Sequence, residues 1–147
     1  MFQIGVLNQT CTGGFGFRKT CPDGWLKRLS SCYYFAKSSV TWDHARSICQ
    51  SHGGDLFVPD DSTEQLEIWN LSRALYLPWI GVKLPYANAN AFYTVHDVPV
   101  SYSNFQYPEP NNLHSELCVL LYEHINAWNN IPCDHDRDYI CERDQIA

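Results

Sequence analysis

The sequence is short of several features that mark membrane, nucleic-acid-binding and precursor chains. No apolar run in its 147 residues approaches the roughly 20 residues that a membrane-spanning helix needs. Basic residues are few: 10 Lys and Arg stand against 16 Asp and Glu, and the net charge of −6 disfavours a nucleic-acid partner. The opening residues MFQIGVLNQTC contain no basic segment followed by a long apolar one, so we expect a mature form without a signal peptide.

The chain also lacks any C-x-x-C pair, which argues against a cysteine zinc site, although it has seven cysteines. That count favours a disulfide framework in an oxidising compartment. Two Asn-x-Ser/Thr sequons, at Asn8 and Asn70, agree with this setting. We therefore expect a secreted glycoprotein. The spacings alone leave the pairing of the cysteines open.

The first part of the chain predicts a hairpin and a helix. Residues 21–35 contain a PDG turn and a run of aromatic residues, which indicates a hairpin with Trp25 and Leu29 facing inward. Apolar residues then recur at helical spacing after Thr41, a good N-cap, until a Gly-Gly pair at 53–54.

A second helix and several short strands are predicted further along. Asp61 or Ser62 caps the helix, and the inward positions are Ile68, Leu71 and Leu75. After Pro78, short runs rich in aromatic and β-branched residues alternate with polar loops, a pattern typical of strands. The segment from 84 to 116 is long and irregular but contains aromatic residues that can anchor it, so we expect an ordered functional loop. Residues 1–20, in which Gly13, Gly14 and Gly16 surround Phe15, are predicted to be an N-terminal extension, and residues 21–147 the α+β domain.

The order of several motifs resembles the C-type lectin domain in its long form. These motifs are the hairpin cysteines, the two helices, WIGV, EPN at 109–111, a Glu two residues before a cysteine, WNN at 128–130 and a final YICE. The resemblance covers about residues 21–143. Within the family, the sequence is similar to soluble, secreted invertebrate lectins. It implies a fold of two helices, small antiparallel sheets and a long ordered loop. It also implies three disulfides: Cys21–Cys32, Cys49–Cys141 and Cys118–Cys133.

One cysteine, Cys11, is left over by these pairings. An odd cysteine in a secreted chain favours an intermolecular bridge, so we expect a disulfide-linked dimer through Cys11. The alternative is that its partner lies in a segment missing from this sequence.

The resemblance implies a calcium-dependent sugar site in the long loop. Its metal ligands would be Glu109, Asn111, Glu116, Asn129 and Asn130, and the same residues would bind the sugar together with Leu113, an apolar contact. In calcium-bound relatives the peptide bond before the EPN proline is cis. Asn130 departs from the family, which has Asp there, so two carboxylates remain where the family has three. Because ligand charge tunes calcium affinity, we expect weakened binding of the ion.

These observations predict a lectin that recognises terminal mannose or N-acetylglucosamine, the sugars that the EPN motif favours in the family, with a role in innate immunity. One alternative is a calcium-independent lectin that reads the acetamido group of N-acetylglucosamine or N-acetylgalactosamine. A second alternative is a protein-binding domain of the same fold without sugar recognition. No arrangement of Ser, His, Asp or Cys suggests catalysis, so we do not expect an enzyme.

Overall fold

The computed structural model describes residues 18–146, which form two helices and eight strands. In chain order these elements are β1 (Leu26–Arg28), β2 (Ser31–Val40), α1 (Trp42–Ser51), β3 (Asp55–Leu56), α2 (Ser62–Leu71), β4 (Trp79–Lys83), β5 (Tyr93–Thr94), β6 (Cys118–Leu121), β7 (Trp128–Ile131) and β8 (Arg137–Asp144). The predicted α+β class with two helices is confirmed.

All the strands belong to one sheet, in the order β1-β2-β8-β4-β6-β7, with β3 paired to β8 and β5 paired to β4. The last strand, β8, lies between β2 and β4. Its pairing with β4 is parallel, through Trp79 and Tyr139, whereas the other strand pairings are antiparallel. This parallel pairing differs from the expectation of antiparallel sheets.

The N-terminal hairpin forms as predicted except at its tip. Gly24 has φ of +85°, and the Trp25 N–H donates to the Pro22 carbonyl at 3.1 Å, which closes the expected PDG turn. The prediction that Leu29 faces inward is wrong. Leu29 lies in the two-residue turn between β1 and β2 with φ of +51°, and it is 58% exposed because a turn residue points away from the sheet.

Both helices begin at side-chain caps. The Thr41 hydroxyl accepts from the His44 N–H at 3.3 Å, and the Asp61 carboxylate accepts from the Glu64 N–H at 2.8 Å. Each bond satisfies one of the unpaired N–H groups of a helix N-terminus. These caps fix where α1 and α2 start.

The buried face of α2 differs from the prediction at one position. Ile68 is buried as expected, and so is Leu75 beyond the helix end. Leu71 is 38% exposed, so its inward assignment is wrong. The helix instead buries Gln65 completely, and the side-chain Oε1 of Gln65 accepts from the Trp128 indole N–H at 2.6 Å. A polar residue can occupy this face because the core offers it a hydrogen-bond partner.

The two faces of β6 and β7 carry side chains to two core clusters. Cys118 and Leu120 point to one cluster, which contains Trp42, Leu56, Trp79 and Tyr139. Val119, Leu121 and Trp128 point to the other, which contains Phe57, Ile68 and Ile80. Since side chains alternate along a strand, Asn130 lies on the face of Trp128, and Asn129 lies on the opposite face.

Three disulfides staple the fold: Cys21–Cys32, Cys49–Cys141 and Cys118–Cys133. They are the pairings that the resemblance implies. The second links α1 to β8 across 92 residues, and the third joins the start of β6 to the segment after β7. Cys11 and the Asn8 sequon lie outside the described residues.

The two ends of the described segment meet. Thr20 forms a bridge with Ile146, and the Thr20 N–H donates to the Ile146 carbonyl at 2.8 Å. Backbone pairing with the C-terminal end of the chain thus begins at Thr20, one residue before the predicted start of the domain at residue 21. The division into an extension of residues 1–20 and a domain of residues 21–147 stays a prediction. Asn70, the other sequon, is exposed on α2.

Candidate functional site

The EPN loop lies beside the outer edge of β7. The backbone of Trp128 anchors the segment that leads into this loop. Its backbone N–H donates to the Asn104 carbonyl at 2.8 Å, and its backbone carbonyl accepts from the Gln106 N–H at 3.0 Å. The peptide bonds before Pro108 and Pro110 are both cis. The second has the geometry that the resemblance associates with calcium-bound relatives.

Asn130 holds this loop in place through its side-chain amide. The side chain is fully buried, and its Nδ2 donates to the carbonyl oxygens of Asn111 at 2.6 Å and Glu116 at 2.7 Å. Its Oδ1 accepts from the Asn111 N–H at 3.3 Å. Carbonyl oxygens can only accept, so the nitrogen must face them and the orientation of the amide is determined. An Asp side chain could not make the two donating bonds.

The two carboxylates of this loop are linked by the side chains of neighbouring asparagines. Asn111 Nδ2 donates to Glu109 Oε2 at 3.3 Å. Asn112 Nδ2 lies 3.3 Å from Asn111 Oδ1 and 3.4 Å from Glu116 Oε1. These bonds are long, so the groups can exchange them for a ligand. The arrangement presents carboxylate acceptors and amide donors together.

One oxygen of the site has no partner within the described residues. Glu109 Oε1 is buried and accepts no hydrogen bond there. A buried carboxylate oxygen without a donor is costly. It is therefore the atom of the loop that is best placed to bind a cation or a hydroxyl donor.

The remaining predicted site residues lie apart from this network. The Asn129 side chain is half-buried on the opposite face of β7, and no side-chain hydrogen bond joins it to another described residue. Leu113 is half-buried, and its carbonyl oxygen accepts from the Asn88 N–H at 2.8 Å. The structure thus brings together Glu109, Asn111, Glu116 and Asn130, and leaves Asn129 and Leu113 outside their hydrogen bonds.

Two further residues lie near these groups although the motif assigned them no ligand role. Asn112 bridges the two halves of the loop, and its φ of +50° is a conformation that Asn adopts more readily than most residues. The only signal in the sequence is the doubled Asn after Pro110. Tyr122 is the other: burial, and then the nearby Glu109 carboxylate, raise the pKa of its hydroxyl, which keeps Tyr122 a neutral donor.

The donor set fits calcium in part. Glu109 and Glu116 offer the hard oxygen ligands that calcium prefers, and Glu109 Oε1 has no hydrogen-bond partner in the part of the chain that the structure describes. Asn130 does not fit, because its Oδ1 already accepts from the loop and its nitrogen faces inward. Within residues 18–146, no three His, Cys, Asp or Glu side chains form a group that could hold a metal ion. The full ligand set that the motif implies stays a prediction.

Comparison with known proteins identifies the family. The model of the "Lectin C-type domain" family matches residues 38–143. The chain belongs to the C-type lectin family. A perlucin-like protein from Mytilus galloprovincialis is 34% identical over 148 residues, an alignment that covers 96% of this chain and 92% of the relative. Human C-type lectin domain family 17, member A is 32% identical over 126 residues, covering 86% of this chain and 33% of the relative. This lectin thus spans about a third of that human relative.

Solved structures of this family share the fold. The mouse scavenger receptor C-type lectin carbohydrate-recognition domain has a TM-score of 0.80 at 26% identity, covering 86% of this chain and 98% of the other. A calcium-independent type II antifreeze protein has 0.81 at 27% identity, covering 90% and all of the other chain. The cow CD23 domain, crystallised in the presence of an oligosaccharide, has 0.78 at 29% identity and covers 88% and all of the other. The predicted lectin fold and family are confirmed.

The family bears on one further prediction, and the helices bear on another. C-type lectin domains are non-enzymatic carbohydrate-binding proteins, which agrees with the prediction that this lectin is not an enzyme. Among the described residues, neither helix has the length and apolar character needed to cross a membrane.

Proposed function

We propose that this lectin binds terminal mannose or N-acetylglucosamine through the side chains of Glu109, Asn111 and Glu116. The observation that carries the proposal is the chain of hydrogen bonds that links the Glu109 and Glu116 carboxylates through asparagine amides, together with the buried Glu109 Oε1, which has no hydrogen-bond partner within residues 18–146. Neighbouring sugar hydroxyls are both donors and acceptors. Carboxylate oxygens accept from them while amide nitrogens donate to them, so one hydroxyl pair can satisfy both kinds of group.

Calcium, the cofactor of many family members, would be held here by Glu109, Asn111 and Glu116. When bound, the ion supplies positive charge that draws the oxygen atoms of the loop and of the sugar together. Asn130 contributes in another way, because its amide fixes the backbone of Asn111 and Glu116 before any ligand arrives. Asn129 keeps its place in this proposal only as a motif-based ligand, and Leu113 as an apolar neighbour of the sugar.

A glycan array tests the proposal, read once with calcium and once with a chelator. Binding that is lost on chelation supports an ion-bridged site. Retained binding to N-acetylated sugars supports the calcium-independent alternative, in which the acetamido group is read directly. Absence of sugar binding under both conditions contradicts the proposal and favours the protein-binding alternative.

A matched pair of variants locates the site. Glu116→Gln keeps the shape of the side chain but removes its charge, and we expect sugar affinity to fall about tenfold or more, because hydrogen bonds to charged groups are the strong ones. Glu67→Gln makes the same substitution on α2, where Glu67 pairs with Arg28, and serves as the control. Equal affinities of the two variants would place the sugar elsewhere.

Secretion, a role in innate immunity and a disulfide-linked dimer through Cys11 belong to the same proposal. Two linked domains raise the avidity for a surface that repeats one sugar. A gel run without reductant tests the dimer: we expect a species of twice the monomer mass that Cys11→Ser abolishes, and a monomer in the unreduced sample contradicts the bridge.

A further inference from the structure

A groove beside the candidate sugar site is bordered by two tyrosines that the proposed function does not use. It encloses about 350 Å³ and is lined by Pro85, Tyr86, Ala89, Asn90, Ala91 and Tyr93. Small-molecule pockets usually measure roughly 300–1,000 Å³, so the groove has room for a small ligand. Tyr86 is 66% exposed and Tyr93 is 38% exposed. None of the lining residues is charged, which favours a neutral ligand.

The segment that carries these tyrosines is anchored from below. Leu84 and Ala89 are buried, and Phe92 packs against the second core cluster with its ring 5.1 Å from that of Phe105. Tyr93 lies in β5, where it pairs with Lys83 of β4. Because the backbone is held at these points, a ligand that packs on the tyrosine rings orders little additional chain.

A backbone hydrogen bond connects the groove to the candidate sugar site. The Asn88 N–H donates to the Leu113 carbonyl at 2.8 Å. Tyr86 lies two residues before Asn88, and Asn111 lies two residues before Leu113. Chain geometry therefore limits the distance between the Cα atoms of Asn111 and Tyr86 to about 20 Å. A short oligosaccharide can span both places.

We propose that this groove is a second sugar subsite, which takes a β-linked N-acetylglucosamine ring of a glycan whose terminal sugar occupies the Glu109 site. The inference rests on the proposed function for the position of that terminal sugar. In β-linked N-acetylglucosamine every ring substituent is equatorial, so both faces of the ring present C–H groups. Such a face packs on the tyrosine rings, while the tyrosine hydroxyls and the Asn90 amide hydrogen-bond to the ring substituents. The groove thereby selects chains of this sugar over the free monosaccharide.

Calorimetric titration with N-acetylglucosamine and with its β-linked trimer tests the subsite. We expect the unmutated protein to bind the trimer more tightly. Tyr86→Ala should weaken the trimer about three- to tenfold and change the affinity for the monosaccharide by less than about twofold, as expected for loss of one aromatic contact. Tyr76→Ala, which removes a tyrosine that is 46% exposed and does not line the groove, is the matched control and should change neither affinity.

The outcomes separate this inference from the proposed function. Equal affinities for trimer and monosaccharide, or a trimer affinity unchanged by Tyr86→Ala, overturn the subsite and leave the Glu109 site standing. Trimer binding that requires Tyr86 but survives Glu116→Gln supports the groove and contradicts the Glu109 site. Binding of neither sugar overturns both.

Discussion

Replacing Asn130 by Asp, the residue typical of the family, should destabilise this lectin when calcium is absent. The amide of Asn130 donates to the carbonyl oxygens of Asn111 and Glu116, and it is fully buried. Asn130→Asp keeps the volume of the side chain but replaces the donor by a carboxylate oxygen. Two carbonyl groups then lose the donor that they share, and a buried negative charge faces both of them.

The size of this effect follows from these contacts. An unsatisfied buried polar group costs about 1–3 kcal/mol, and an unpaired buried charge about 3–5 kcal/mol, so we expect a loss of about 3–5 kcal/mol in the free energy of unfolding. For a domain of this size such a loss lowers the unfolding midpoint by roughly 10 °C. Calcium should reverse much of it, because a cation can compensate the new carboxylate. At a calcium concentration about a hundred times the Kd, binding returns about 2.7 kcal/mol.

Urea denaturation in chelator and in calcium measures both effects, and calorimetry should show tighter calcium binding by Asn130→Asp than by the unmutated protein. Asn129→Asp, measured in chelator, is the control. It introduces the same charge at the preceding position of β7, on the opposite face of the strand. There the original side chain makes no hydrogen bond with a described residue. If both variants are equally stable in chelator, the Asn130 amide does not hold the loop, and the reasoning is wrong.

Two further predictions concern the core. Burial and the Glu64 carboxylate raise the pKa of Glu142 from 4.5 to about 7, so its contribution to stability is complete below about pH 4.5 and is lost as the pH rises through 7. Glu142→Gln should remove this loss, so the variant should gain up to about 3 kcal/mol more stability over the unmutated protein at pH 8 than at pH 5. Urea denaturation of both proteins at the two pH values measures the difference. If the variant keeps the pH dependence of the unmutated protein, the prediction is wrong. Gln65→Leu removes the acceptor of the buried Trp128 indole N–H and should cost about 1–3 kcal/mol, whereas a neutral result would show that the indole finds another partner.

Local patterns were sufficient for much of the fold. Thr41 and Asp61 cap the helices as predicted, because a cap and the N–H group that it binds lie within three residues of each other. The order of EPN, Glu116 and WNN indicated the family and the loop of the candidate site. Where a neighbour in space decided the outcome, periodicity failed: Leu71 is exposed although its spacing is helical, and Gln65 is buried because Trp128 provides its partner.

The candidate site shows the same division. Its acids and amides could be named from the motif order, since the residue types alone carry the chemistry of an oxygen-rich loop. The role of Asn130 could not, because it depends on two carbonyl groups that lie 14 and 19 residues away along the chain. The pairing of Tyr86 with Tyr93 across one groove depends likewise on how the long loop packs above the core. Sequence specified which groups were present, and tertiary packing decided which of them were satisfied and which were left for a ligand.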